Sequence, residues 1–143
     1  MKQRFLCAVL LGAWSFVLPG SVRAHHGDAG RYIADVTSLT GTVVQFVMVN
    51  PHAFIVLDVT EDGKTTRWTA EMNGPDNLAK GFGWTAATTK KWVGRRFTVT
   101  GRRLKSGAPY INLTERANIV LADDGQEIFR TANFGSPVPA DEK

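Results

Sequence analysis

Three histidines are the residues of this chain best suited to chemistry. His25 and His26 are adjacent near the start, and His52 lies in a polar corner, Asn50-Pro51-His52, between two apolar runs. Imidazole nitrogens are good ligands for copper, nickel and zinc, and copper is bound most tightly in the general affinity order. The three side chains therefore suggest a nitrogen-rich metal site, with copper favoured over zinc or nickel.

The first 24 residues have the pattern of a secretory signal peptide. Lys2 and Arg4 precede an apolar run from Phe5 to Leu18, and Ala24 supplies a small residue for cleavage. The run is shorter than the roughly 20 apolar residues that a spanning helix needs, which disfavours the alternative of an uncleaved anchor. We expect a periplasmic or secreted protein that is not an integral membrane protein after cleavage.

Cleavage after Ala24 would make His25 the first residue. Its free amine has a reference pKa of about 7.7–8.0, so a divalent metal can displace the amine proton and be chelated by amine and imidazole together. His52 would join if the arm folds back, and Glu71 on a polar strand face is a candidate fourth ligand. Three alternatives stay open: a solvated histidine pair, a His52 ring bonded to nearby backbone, and a solvated Glu71.

Charge and composition argue against several classes of function. Three of the 17 basic residues and none of the 13 acidic ones lie in the first 24 positions, so the remaining chain carries a net charge of only +1. Nucleic-acid-binding proteins usually carry a marked basic excess, so no nucleic-acid partner is expected.

Cys7 is the only cysteine, which excludes a thiolate site in the processed chain. We find no nucleophile elbow or phosphate loop. An enzyme is therefore not expected, although copper redox chemistry at His25 stays open as a third interpretation.

The hydrophobic pattern predicts a mainly β fold. Strands are expected at residues 39–50, 53–61, 65–72, 95–103 and 110–121, followed by a hairpin to 127–130. Gly41 could mark a bend or bulge. Apolar residues near it occupy both odd and even positions, which indicates a strand that is buried on both faces or curls between layers. Strict alternation points Trp68, Ala70 and Met72 inward. A short helix, Pro75–Lys80, separates the third and fourth strands.

This order of elements predicts a five- to six-stranded OB-like barrel with one short helix between strands 3 and 4. The predicted organisation is a signal peptide at 1–24, an N-terminal arm at 25–38, the barrel at 39–132 and a flexible tail at 133–143.

The chain resembles a family of small exported bacterial domains of unknown function. The resemblance is carried by Ala24-His25-His26, Gly41-Thr42-Val43, Asn50-Pro51-His52-Ala53-Phe54, Trp68 with Glu71, and Gly83-Trp84. It covers Ala24 to about Leu121. This chain has Phe54 where tryptophan is more usual and Gly27 where serine often follows the histidine pair. The resemblance implies an exported, OB-like module and no particular reaction.

Two main interpretations follow. In the first, the protein is a metal-binding module with His25, His26, His52 and Glu71 as ligands. In the second, it is a non-catalytic interaction domain that binds an envelope protein or a glycan. The surface residues of that second interpretation are Asn50, His52, Phe54 and Trp68.

Overall fold

A computed structural model describes residues 30–140 of the chain. The elements in this range are β1 (Thr37–Val47), β2 (Phe54–Glu61), β3 (Lys64–Glu71), α1 (Pro75–Phe82), a 3₁₀ helix (Thr88–Trp92), β4 (Arg96–Arg103), β5 (Tyr110–Asn112), β6 (Asn118–Leu121) and β7 (Glu127–Arg130). The predicted signal peptide, His25 and His26 lie outside the described residues. Between residues 30 and 140, no helix has the length and apolar character needed to cross a membrane.

Five of the strands close into a barrel. β1, β2 and β3 are antiparallel neighbours. β5 runs parallel to β3 and antiparallel to β4, and β4 pairs with β1. The circuit β1-β2-β3-β5-β4, with α1 between β3 and β4, is the OB arrangement, so the predicted fold is confirmed. β6 pairs with β4, and β7 pairs with β6, so these two strands extend the sheet beyond the barrel.

The barrel core follows from alternation along the strands. Side chains of β2 and β3 point inward at every second position, and for β3 this is the alternation that the sequence predicted. The inward set comprises Ile55, Leu57, Val59, Trp68, Ala70 and, just after β3, Met72.

A β-bulge explains the unusual pattern of the first strand. The pairing of β1 with β2 shifts register between Val43 and Gln45. Before the shift, Leu39 and Val43 are buried, whereas after it Phe46 packs against the core. An extra residue in one strand changes the inward-facing residues from odd-numbered to even-numbered positions. The bulge thus accounts for apolar residues of both parities.

The fifth predicted strand, 110–121, is interrupted and forms β5 and β6. Asn112 Oδ1 accepts hydrogen bonds from the backbone N–H and hydroxyl of Thr114, which turns the chain out of the ladder. Arg116 then adopts a left-handed conformation with φ 49°. Odd-numbered residues face the core on both sides of this interruption, so Ile111 and Ile119 are both buried.

Smaller differences concern the ends of elements. β1 ends at Val47 rather than at residue 50. The apolar residues Met48 and Val49 therefore belong to the corner and not to the strand. α1 extends two residues past the predicted Lys80, to Phe82. Gly83 ends it in the left-handed conformation, with its N–H bonded to the Ala79 carbonyl.

The N-terminal arm docks on the far end of β4. Tyr32 forms an isolated antiparallel bridge with Leu104. Ile33 N–H donates to the Arg103 carbonyl, and Lys105 N–H donates to the Arg31 carbonyl. These backbone bonds fix the arm along the end of β4, where they follow on from the β1–β4 pairing.

Candidate functional site

The Asn50-Pro51-His52 corner is tied to the end of β3. The Asn50–Pro51 peptide is cis. Met72 N–H donates to the Ala53 carbonyl at 2.8 Å, and Ala53 N–H donates to the Asn73 carbonyl at 3.3 Å. These two bonds continue the β2–β3 pairing past the strand ends, so the residue next to His52 is held beside Glu71, the last residue of β3.

His52 and Glu71 form a close pair. Nδ1 of His52 lies 2.8 Å from Oε1 of Glu71, and the side chains are 42% and 16% exposed. Nδ1 itself is buried, and no described atom meets it with the direction of a hydrogen bond, so the contact with Oε1 is short but not ideally aligned. Since Nδ1 is buried, the exposed part of the ring is the opposite edge, which carries Nε2.

The other oxygen of Glu71 accepts from three donors. Tyr110 Oη donates to Oε2 at 2.7 Å, Tyr32 Oη at 3.2 Å and Asn112 Nδ2 at 3.4 Å. The parallel pairing of β3 with β5 explains two of these contacts, because it sets Glu71 opposite Asn112 and Thr69 opposite Tyr110. The docked arm supplies the third donor.

Burial shifts the acidity of both phenols. Burial, followed by the hydrogen bond to Glu71 and its negative charge, raises the pKa of Tyr110 well above the ordinary value of 10.0. Burial is also the main cause that raises the pKa of Tyr32, with a smaller upward contribution from the charge of Glu71. Both side chains therefore remain protonated hydrogen-bond donors throughout the neutral range.

Two guanidinium groups lie close to the ring of Tyr32. Its side chain is only 4% exposed, and the guanidinium carbons of Arg102 and Arg31 lie 5.4 Å and 5.7 Å from its ring centroid. Arg102 also pairs with Glu115 at 3.3 Å. This packing holds the arm in place next to Glu71.

The remaining candidate residues are spread over different environments. Asn50 is exposed in the corner, and Phe54 is half-buried directly across from Glu71 on the neighbouring strand. Trp68 lies in the barrel core, and the Arg103 guanidinium carbon lies 4.6 Å from its ring centroid. His25 and His26 lie outside the described residues, so the structure does not place them relative to His52.

Sequence reasoning missed the three donors to Glu71. Tyr32, Tyr110 and Asn112 have no local motif, and they converge only through the β3–β5 register and the docked arm. Within residues 30–140, histidine, cysteine and carboxylate side chains form no cluster of three or more that would hold a metal ion. His52 and Glu71 are therefore a pair in the described part of the chain.

Comparison with known proteins places the chain in a family without assigning it an activity. No curated protein matches the chain. A family model matches residues 16–110, a range that includes His25, His26, the corner, Glu71 and both tyrosines. The match confirms the resemblance to a family of unknown function. The chain belongs to the family of unknown function DUF6152.

Proposed function

We propose that the protein is an exported module that binds one divalent transition metal ion, with copper favoured, through His52 together with His25 and His26. The observation that supports this most directly is the short contact between His52 and Glu71, beside the point where the N-terminal arm docks. The pair provides an imidazole with one exposed edge and a negative charge next to it.

The docked arm makes the proposed ligand set sterically reasonable. Tyr32 contacts Glu71, and His26 precedes Tyr32 by six residues. An extended chain spans at most about 3.3–3.6 Å per residue, so six residues reach up to about 20 Å from the backbone of Tyr32. His52 pairs with the same carboxylate that Tyr32 contacts, and therefore lies well within that distance.

The choice of metal follows from the donor atoms. Cleavage after Ala24 would leave no cysteine and would offer three imidazoles and one amine. Nitrogen-rich sites favour Cu(II) over Zn(II) and Ni(II). The adjacent carboxylate lowers the electrostatic cost of a divalent cation in a partly buried place.

A titration with Cu(II) tests the proposal. The chain is expressed with its own leader, its N-terminus is determined by mass spectrometry, and binding is measured by calorimetry and electron paramagnetic resonance. We expect one-to-one binding with a nitrogen-rich signal. One extra residue before His25 should weaken binding, because it removes the amine–imidazole chelate.

His52→Asn tests His52, the proposed metal-binding histidine that the barrel contributes. Asparagine keeps a side-chain N–H that can face Glu71 but has no counterpart of Nε2. Binding should weaken by more than about tenfold, while the circular-dichroism spectrum stays that of the wild type. Weak, multi-site binding that is indifferent both to this change and to the added N-terminal residue would refute the metal proposal.

The second candidate is a non-catalytic interaction domain for an envelope protein or glycan. It is favoured by the exposure of Val49, which is 49% accessible and adjoins Asn50, with Phe54 half-buried after the corner. Capture of a partner from an envelope extract by the wild type, lost in a Val49→Asp variant without any change in copper binding, would support this function instead.

A further inference from the structure

We infer that Glu71 acts through His52, by fixing the proton on Nδ1 so that Nε2 faces outward as the metal-binding atom, and that Tyr110 holds Glu71 in this position. The effect on metal affinity rests on the proposed function, whereas the state of the His52 ring can be measured without any metal. The inference gives Glu71 a different role from the fourth ligand expected from the sequence.

The first argument concerns the oxygen atoms of Glu71. Oε2 already accepts from Tyr110, Tyr32 and Asn112, and Oε1 faces Nδ1 of His52. A carboxylate has about four acceptor positions, and these neighbours occupy most of them. Direct coordination of a metal would break contacts between buried groups, and an unpaired buried polar group is costly.

The second argument concerns the two ring nitrogens. A bare Nδ1 lone pair 2.8 Å from a carboxylate oxygen would be repelled, whereas an N–H in that place is attracted. The proton on Nδ1 leaves the lone pair on Nε2, at the exposed edge of the ring. Carboxylate–histidine–metal arrangements work in this way, with the second ring nitrogen donating to the carboxylate.

The third argument separates Tyr110 from the other donors. Its 2.7 Å hydrogen bond is the shortest of the three. Asn112 gives a long contact of 3.4 Å, and its Oδ1 is engaged by Thr114 in the turn after β5. Tyr32 contributes at 3.2 Å but belongs to the docked arm. Tyr110 is therefore the main positioning residue for Glu71.

The test is nitrogen NMR of His52 in metal-free protein, at a pH where the ring is neutral. Two-bond proton–nitrogen correlations distinguish the tautomers. We expect the Nδ1–H form in the wild type and a shift toward the Nε2–H form in Tyr110→Phe and Glu71→Gln. Glu61→Gln, which removes the same charge from the exposed end of β2, is the matched control and should leave the tautomer unchanged.

Copper affinity provides the second measurement. Loss of a supporting carboxylate typically lowers metal affinity by about 10- to 100-fold, and we expect this range for Glu71→Gln and a smaller loss for Tyr110→Phe. A bare Nδ1 in the wild type would overturn the inference. Unchanged tautomers together with abolished binding in Glu71→Gln would also overturn it, because Glu71 would then be a direct ligand. If the wild type binds no copper, the proposed function fails, while the tautomer still decides the role of Glu71.

Discussion

Gly101 lies closer to a neighbouring backbone than the other glycines of the barrel, and this predicts how an added methyl group changes stability. Gly101 lies in β4, next to the pairing with β5. A Cβ atom at this position would lie 2.3 Å from the carbonyl oxygen of Asn112 and 2.7 Å from a methyl carbon of Leu113, where ordinary contacts begin at 3.4 Å. In Gly101→Ala, β4 and β5 must therefore separate by about 1 Å.

The structure sets the size of the expected effect. β4 and β5 pair through only two residue pairs, Arg102 with Asn112 and Arg103 with Ile111. A shift of about 1 Å stretches those hydrogen bonds, each worth about 1 kcal/mol. Overpacking of a tight site generally costs about 1–3 kcal/mol. We expect Gly101→Ala to lower the free energy of unfolding by about 2–3 kcal/mol, which corresponds to a fall of about 8–12 °C in Tm.

Urea denaturation followed by tryptophan fluorescence measures this change. Gly81→Ala is the matched control, since its added methyl would meet nothing within 4 Å and its backbone conformation suits alanine. The control should raise the free energy of unfolding by about 0.4–1 kcal/mol. A Gly101→Ala protein within about 0.5 kcal/mol of the wild type would refute the reasoning, because the barrel would then absorb the methyl group without separating its strands.

Three further predictions concern stability. Trp84→Ala should lower the free energy of unfolding by about 3–5 kcal/mol, because Trp84 is 5% exposed and packs edge-on against Phe46. Thr131→Val should lower it by about 1–3 kcal/mol, because it removes the buried acceptor of the Ala117 N–H. Wild-type stability should fall as the pH rises above about 10, because the raised pKa of Tyr110 keeps the native phenol protonated while the unfolded one ionises. Tyr110 contributes at most about 1.4 kcal/mol per pH unit to this slope, and Tyr110→Phe should remove that share while leaving the share of Tyr32, whose pKa is also raised.

Each of these has a clear negative outcome, measured by urea denaturation. A loss below about 1 kcal/mol in Trp84→Ala would mean that the aromatic cluster contributes little to the fold. Thr131→Ser keeps the hydroxyl and should retain the bond to Ala117, so a loss below about 0.5 kcal/mol in Thr131→Val would show that this bond contributes little to stability. Identical slopes above pH 10 in the wild type and Tyr110→Phe would show that the phenol ionises freely in the native state.

Much of the barrel is encoded locally. Asp62 and Gly63 both take positive φ values, 50° and 76°, as expected of an Asp-Gly hairpin turn. Alternation on β3 places Trp68 inside and Arg67 outside, paired with Asp58 across the hairpin. Periodicity and turn residues act over a few positions, so single-sequence reasoning finds them and, through their order, the OB arrangement.

The contacts that form the candidate site are not predicted by any local sequence pattern. Tyr32 and Tyr110 each lie 39 positions from Glu71 in sequence, and they meet it through strand register and arm docking. The sequence placed His52 and Glu71 in one candidate metal site, but it did not predict a direct contact between the two side chains. The break after β5 was also missed, because it depends on the side chain of Asn112 bonding to Thr114 rather than on a glycine or proline.

The convergence of two phenols on one carboxylate has a practical consequence. The chain contains two tyrosines in all, and both donate to the same oxygen of Glu71. Any tyrosine-selective spectroscopic signal of the whole protein therefore originates at this one place. Ring resonances, ultraviolet resonance Raman bands and chemical nitration would thus report on the Glu71 environment in the unmodified protein, without a label or a mutation.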